Sequence, residues 1–293
     1  MKRKIVAFIL MLTLVGLSAC GSSEEVSNND KSLGENMDYK IIGIDPGAGI
    51  MKATEKAIAD YELSEWKLIE GSSAAMTAEL KRAYDKKEPI IVTGWSPHWK
   101  FSKYDLKYLE DPKGSFGEKE NIHTITKVNL EAEHPSAFKL LEQFSWTEDS
   151  MNEVMMEIIN GGEPEKVATE WINQNGELVS RWKEGIRKVD NDKLILGYVA
   201  WDTEIASTNV IAAVLSDIGY DVTLKQVEAG PMWAGIADGS LDAHVAGWLP
   251  LTHADYYEKF EGEFIDLGAN LEGTKIGLVV PEYVEIDSID DLK

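Results

Sequence analysis

Short apolar runs alternate with stretches of helical period along most of this chain, and the alternation occurs twice. Lys40-Ile41-Ile42-Gly43-Ile44 predicts a buried strand and Asp45 to Gly49 a turn, and from Ile50 through Tyr61 the residues Met51, Ala57, Ile58 and Tyr61 recur at roughly helical spacing. Trp66 to Ile69 is the next strand. Ser72 and Ser73 offer hydroxyls to cap a helix through Asp85, and Pro89 to Thr93 returns as a strand. Strand-helix-strand-helix-strand order predicts a parallel α/β lobe.

The order repeats from Leu194. Leu194 to Ala200 predicts a strand, Trp201 to Glu204 a turn, and Thr208 to Ile218 a helix stopped by Gly219. Val222 to Val227 follows as a strand, Met232 to Ala237 as a short helix, and Ala243 to Gly247 as a strand. Both units end on the same tetrapeptide pattern, Gly94-Trp95-Ser96-Pro97 and Gly247-Trp248-Leu249-Pro250. Proline has no N–H to donate to a ladder, so Trp95 and Trp248 belong at strand ends. Matching landmarks keep a nearly constant offset, which points to two similar lobes. Between the repeats, His134 to Arg187 reads as a run of helices with Trp171 and Trp182 in the core. Phe264 to Leu267 and Lys275 to Val280 are further strands, and Ile286 to Leu292 starts a last helix.

The first residues differ in kind. Lys2, Arg3 and Lys4 precede an apolar run too short to span a bilayer, which reads as an export signal. Its ending, Leu17-Ser18-Ala19-Cys20, resembles the lipobox of bacterial lipoproteins, whose cysteine is lipidated; the alternative is an ordinary secretory signal with a chance cysteine. Cys20 is the chain's single cysteine and can form no intramolecular disulfide. Residues 21–37, rich in Ser, Asn, Glu and Asp, read as a flexible tether.

Composition narrows the function. A formal net charge of -22 argues against nucleic acid, which needs a basic face. No Gly-x-Ser-x-Gly elbow, His-Glu-x-x-His or phosphate loop is present, so neither an enzyme nor a cofactor is predicted. His98, His123, His134, His244 and His253 lack close ligand spacing, and no metal is predicted.

Two-lobed α/β chains bind small ligands in the cleft beyond the strands' carboxyl ends. Trp95, Trp201 and Trp248 all fall there and come from both repeats. Singly, each is a core plug. Together they can form a neutral box for a quaternary ammonium, which offers no N–H and is recognised through ring faces at about 0.5–2 kcal/mol per contact. A zwitterion's carboxylate could be met by backbone N–H groups near Gly47 and Gly49, at a helix start, and by His253.

The same segments carry a family resemblance. Gly43 to Ile50, Thr93 to Trp99, Tyr198-Val199-Ala200-Trp201, Glu228 to Trp233 and Gly277 to Pro281 closely resemble the glycine betaine-binding lipoproteins of osmoprotectant ABC importers. The match runs from about Lys40 to the last residue. It implies a two-lobed type II periplasmic-binding-protein fold with a ligand cleft between lobes and the halves in permuted order. Residues 1–20 would be the lipoprotein signal, 38–122 with 282–293 lobe 1, and 123–281 lobe 2, with crossovers near His123 to Lys127 and Ile276 to Pro281. The resemblance also implies a tryptophan prism of Trp95, Trp201 and Trp248 around the trimethylammonium, and a carboxylate held by the amides of Gly49 and Ile50 and by His253. Its expected partners are glycine betaine or proline betaine, a permease, an ATPase subunit, and the membrane through a lipid on Cys20, at the extracytoplasmic face. Choline or carnitine is the alternative ligand, and a catalytic or scaffolding surface lipoprotein the competing class. Leu251 stands where relatives often carry a polar residue, which should affect the rim only.

Overall fold

The computed structural model describes residues 32–293. The export signal, Cys20 and most of the expected tether lie outside the described residues. The tether's last part already forms a short helix, Leu33–Asn36, closed by a reciprocal capping box between Ser32 and Glu35.

Among the described residues nine strands carry the fold: β1 Lys40–Ile42, β2 Lys67–Ile69, β3 Ile91–Ser96, β4 Leu106–Tyr108, β5 Glu120–Lys127, β6 Asp192–Tyr198, β7 Tyr220–Gln226, β8 Ala243–Leu249 and β9 Phe264–Pro281. They hydrogen-bond in the order β2-β1-β3-β9-β5-β8-β6-β7, with β4 also on β9. The ends of this path match. In one half β1 pairs in parallel with β2 and β3, and in the other β6 pairs in parallel with β7 and β8. The third strand of each triad then meets an antiparallel neighbour, β9 beside β3 and β5 beside β8. Thus the predicted repeat exists as two parallel lobes joined through β5 and β9.

The long strand β9 is where expectation and structure differ most. Its two ends were predicted as separate strands, because Gly268 to Gly273 breaks the apolar pattern. The strand runs on through that segment, with Gly268 and Gly273 at positive φ and register shifts against β5. Asn270, buried inside it, donates from Nδ2 to Thr124 Oγ1 and to the Val245 carbonyl, so its amide N–H groups find partners where the pattern calls for an apolar residue. Up to Thr274 β9 pairs with β5, and from Lys275 it pairs with β3 and then β4.

Helices between the strands cover the sheet. Gly49–Asp60 and Ser73–Lys86 serve the first triad, the latter capped by Ser72 as its sequence suggests. In the second triad the helix covers Asp202–Asp217, six residues earlier than predicted. Most of its residues are buried around the whole circumference, so the amphipathic period that marks a surface helix is absent. Gly219 ends it at φ 106°. The helical run between the lobes packs around Trp171 and Trp182, both buried and stacked at 6.2 Å.

Both Gly-Trp-x-Pro motifs are built alike. Trp95 and Trp248 are the penultimate residues of β3 and β8, and a cis peptide bond follows each strand, Ser96–Pro97 and Leu249–Pro250. The glycine before each tryptophan permits a close neighbour. A Cβ at Gly94 would lie 2.2 Å from Val279 of β9, and one at Gly247 2.9 Å from Ile125 of β5.

Candidate functional site

The six residues predicted to meet a ligand line one cavity. Trp95, Trp201, Trp248, Gly49, Ile50 and His253 share its lining with Ile44, Ala48, Thr203, Thr252 and Ile276.

Each wall is held by its own local structure. Trp95 and Trp248 come from the two strand ends. Trp201 is the residue before the helix Asp202–Asp217, in extended conformation, and its indole N–H donates to Asp45 Oδ2 at 2.8 Å. That bond crosses between lobes and orients the ring. All three indoles are at least nine-tenths buried.

His253 lies stacked beside Trp201, with ring centroids 6.4 Å apart. Its Nδ1 accepts the Trp248 backbone N–H at 3.1 Å, which leaves the proton on Nε2. That Nε2–H has no partner among the described residues. Burial, and then the neighbouring His244, holds His253 down to about 3, so at neutral pH it is an uncharged donor lining the cavity.

The start of the helix lying against Thr252, the neighbour of His253, supplies more donors. Gly49 opens the helix Gly49–Asp60 after Ala48, which provides no side-chain cap. The amides of Gly49 and Ile50 donate to no group among the described residues, as expected of the first N–H groups of a helix, and they carry the positive end of its dipole. Three unsatisfied N–H donors and three indoles therefore share one small space: a polar pole for an acceptor-rich group and an aromatic region for a cation without donors.

The lobes touch closely around this cavity. A Cβ on Gly49 would fall 1.9 Å from the Thr252 carbonyl oxygen. Tyr256 donates its hydroxyl to the Gly47 carbonyl at 2.9 Å, and Lys52 pairs with Asp255. Asp202 reaches across as well. Its carboxylate accepts from Ser73 Oγ and Trp99 Nε1, both at 3.0 Å, and His98 Nε2 stands 3.4 Å away. Burial pushes that carboxyl up, but the contacts with His98, Trp99 and Ser73 outweigh it and hold it at about 2. Glu120, at the start of β5, accepts from both backbone amides of Leu251 and Thr252 and fixes the turn before His253.

Sequence reasoning missed part of this site. Thr203 and Thr252 are cavity residues with no motif of their own, and Asp45 and Asp202 act through bonds to the other lobe. Only the proximity of Asp45 and Asp202 to the quoted motifs marks them in the sequence. Leu251 is 42% exposed and absent from the cavity wall, in keeping with a rim position.

Known proteins align with this arrangement. The family profile described as the substrate binding domain of ABC-type glycine betaine transport system matches residues 20–174 and 192–293. The glycine betaine/carnitine transport binding protein of Listeria monocytogenes is 49% identical over 296 residues, covering 100% of this chain and 99% of that protein. Lactococcal OpuAC, solved closed with glycine betaine, is 48% identical over an alignment covering 50% of this chain and 58% of that one, with TM-score 0.49. The glycine/betaine/L-proline-binding protein of Borrelia burgdorferi is 35% identical, with 52% and 58% covered and TM-score 0.49. The chain belongs to the family of substrate-binding domains of ABC-type glycine betaine transport systems.

Proposed function

We propose that this protein captures glycine betaine outside the cytoplasm and delivers it to an ABC importer. The observation that carries the reading is the pairing, in one cavity, of three indoles with the unpartnered His253 Nε2–H and the free amides of Gly49 and Ile50. Trp95, Trp201 and Trp248 surround the trimethylammonium, and the three N–H groups hold the carboxylate. No bond is made or broken. Because the walls come from both lobes, ligand binds the closed form better than the open one and draws the equilibrium toward closure.

Strand register supports lobes close to the expected ones. Glu120 onward pairs with β8 and β9, and Lys275 onward with β3, so we place lobe 1 at 38–119 with 275–293 and lobe 2 at 120–274. The C-terminal residues belong to lobe 1, where the Leu292 carbonyl accepts from Trp66 Nε1 at 2.9 Å. Closed lobes would present one surface to a permease driven by an ATPase subunit. A lipid on Cys20 would keep the protein at the extracytoplasmic face of the cell membrane; no helix among the described residues is long and apolar enough to cross it.

Carnitine and proline betaine share the cation and carboxylate, and the Listeria relative's name includes carnitine. Choline lacks the carboxylate and would leave buried N–H donors unsatisfied, at about 1–3 kcal/mol each. Calorimetric titration with glycine betaine, proline betaine, carnitine, choline and a sulfonium analogue tests this. Zwitterions should bind and choline should bind at least tenfold more weakly. Binding of none of them, or equal binding of choline, would refute the site as drawn.

A further inference from the structure

Lys100 departs from the neutrality of the site. It opens the short helix Lys100–Lys103 behind the first Gly-Trp-x-Pro motif, is wholly buried, and its ammonium has no hydrogen-bond partner among the described residues. Nζ stands 4.1 Å from the centroid of the Trp95 ring and 5.6 Å from that of Phe101. Trp95 lines the cavity and Lys100 does not, so one indole borders both the cavity and a buried ammonium.

An indole held by one cation is a poorer host for a second. The first draws on the same ring quadrupole, and two positive charges held against one ring repel each other. We propose that Lys100 is a positioning residue that sets the strength of the quaternary-ammonium site: its charged form competes with the ligand for Trp95, and its neutral form leaves the ring to the ligand. The inference rests on the betaine reading above and deepens it.

The groups around Lys100 define when this happens. His98 accepts the Lys100 backbone N–H on Nδ1 at 3.1 Å and turns Nε2 to Asp202. Asp202 comes from the facing helix, Tyr108 bonds Ser96 and stacks on Phe101, and Lys103 lies over Trp99. Burial lowers the Lys100 ammonium to about 7, against the upward pull of Asp202. Around that pH His98, lowered to about 4 by burial and then by Lys100, stays neutral, and Asp202 stays ionised. Glu204, in the other lobe, is raised to about 8 by burial and changes charge nearby in pH, so the test must separate it.

By linkage, a proton that weakens ligand binding is expelled when ligand binds. The experiment is calorimetric titration of the full-length protein with glycine betaine near pH 6 and pH 8.5, in pairs of buffers with different ionisation enthalpies. Wild type should bind roughly three- to thirtyfold more tightly at the higher pH and release a fraction of a proton per ligand near neutrality. Lys100→Met should bind at both pH values with the high-pH affinity and release none, with Lys100→Gln as the second neutral variant. Glu204→Gln should keep the wild-type pH dependence. Binding that is independent of pH in wild type, or dependent on it in the Lys100 variants, would overturn the proposal while leaving the betaine reading intact. Failure to bind glycine betaine at either pH would instead overturn the betaine reading.

Discussion

Gly49→Ala separates stability from binding in this protein. Gly49 is the first residue of its helix with φ in the ordinary negative range, so alanine fits the backbone and should stabilise an open lobe by up to about 1 kcal/mol. The added Cβ, however, would lie 1.9 Å from the Thr252 oxygen and 2.6 Å from its Cγ2, both from the other lobe. Contact at ordinary van der Waals distance requires the lobes to separate there by about 1.5 Å. A shift of that size stretches Trp201–Asp45 and Tyr256–Gly47, at 2.8 and 2.9 Å, beyond hydrogen-bonding range. Two such bonds at about 1 kcal/mol each, with a weakened indole contact, amount to roughly 2–3 kcal/mol, or 30- to 150-fold in affinity. The assay is calorimetric titration with glycine betaine alongside thermal melting without ligand. Gly49→Ala should melt no lower than wild type and bind at least thirtyfold more weakly. Affinity within threefold of wild type would refute the claim that closure at Gly49 is required.

Three further substitutions or conditions probe the rest of the site. Trp201→Phe keeps an aromatic face but removes the N–H to Asp45, and titration should show a loss of roughly fivefold, against tenfold or more for Trp201→Ala. Asp202→Asn weakens a cross-lobe contact outside the cavity; calorimetric titration should show binding falling severalfold with the stoichiometry unchanged. The pH dependence of stability has a definite sign. His98, His244 and His253 are lowered by burial to about 4, 4 and 3, so their contribution is complete above the unfolded value near 6.5 and is lost as pH falls toward those values. Glu204, raised to about 8, runs the other way and offsets part of it, leaving roughly 3 kcal/mol lost between pH 7 and 5. Melting curves should fall by roughly 5–10 °C over that interval, and an unchanged midpoint would show that these imidazoles are not buried as described.

What could be read from the chain follows from which forces act locally. Trp95 and Trp248 were placed at strand ends because proline's missing N–H is a property of adjacent residues, and the structure ends β3 and β8 there. Ser72 marked its helix for the same reason. The helix start at Asp202 was missed because a helix buried all round shows no polar face, and with it went Thr203 in the cavity wall. The continuity of β9 was missed because the Asn270 amide N–H groups bond Thr124 and Val245, partners distant in sequence. The clasp of Asp202 on Ser73, Trp99 and His98 was unreadable in the same way, since each residue alone has an ordinary polar role.

The way the lobes are joined bears on how the site closes. Each lobe's triad ends on a strand carrying a Gly-Trp-x-Pro motif, and that strand lies beside one of the two that join the lobes: β3 on β9, β8 on β5. A rotation at the change of partner between Thr274 and Lys275 therefore moves Trp95 relative to Trp248 while each ring stays fixed to its own sheet. Few bonds hold the closed arrangement by themselves. Lys52–Asp255 is more than half exposed at both ends and contributes little, and the bonds at Asp202, Asp45 and Gly47 replace water contacts at modest net gain. A cavity that leaves three N–H groups unsatisfied penalises closure without ligand. Under the proposed function the same donors would reward closure on a carboxylate, so the groups that select the ligand would also make the closed state depend on it.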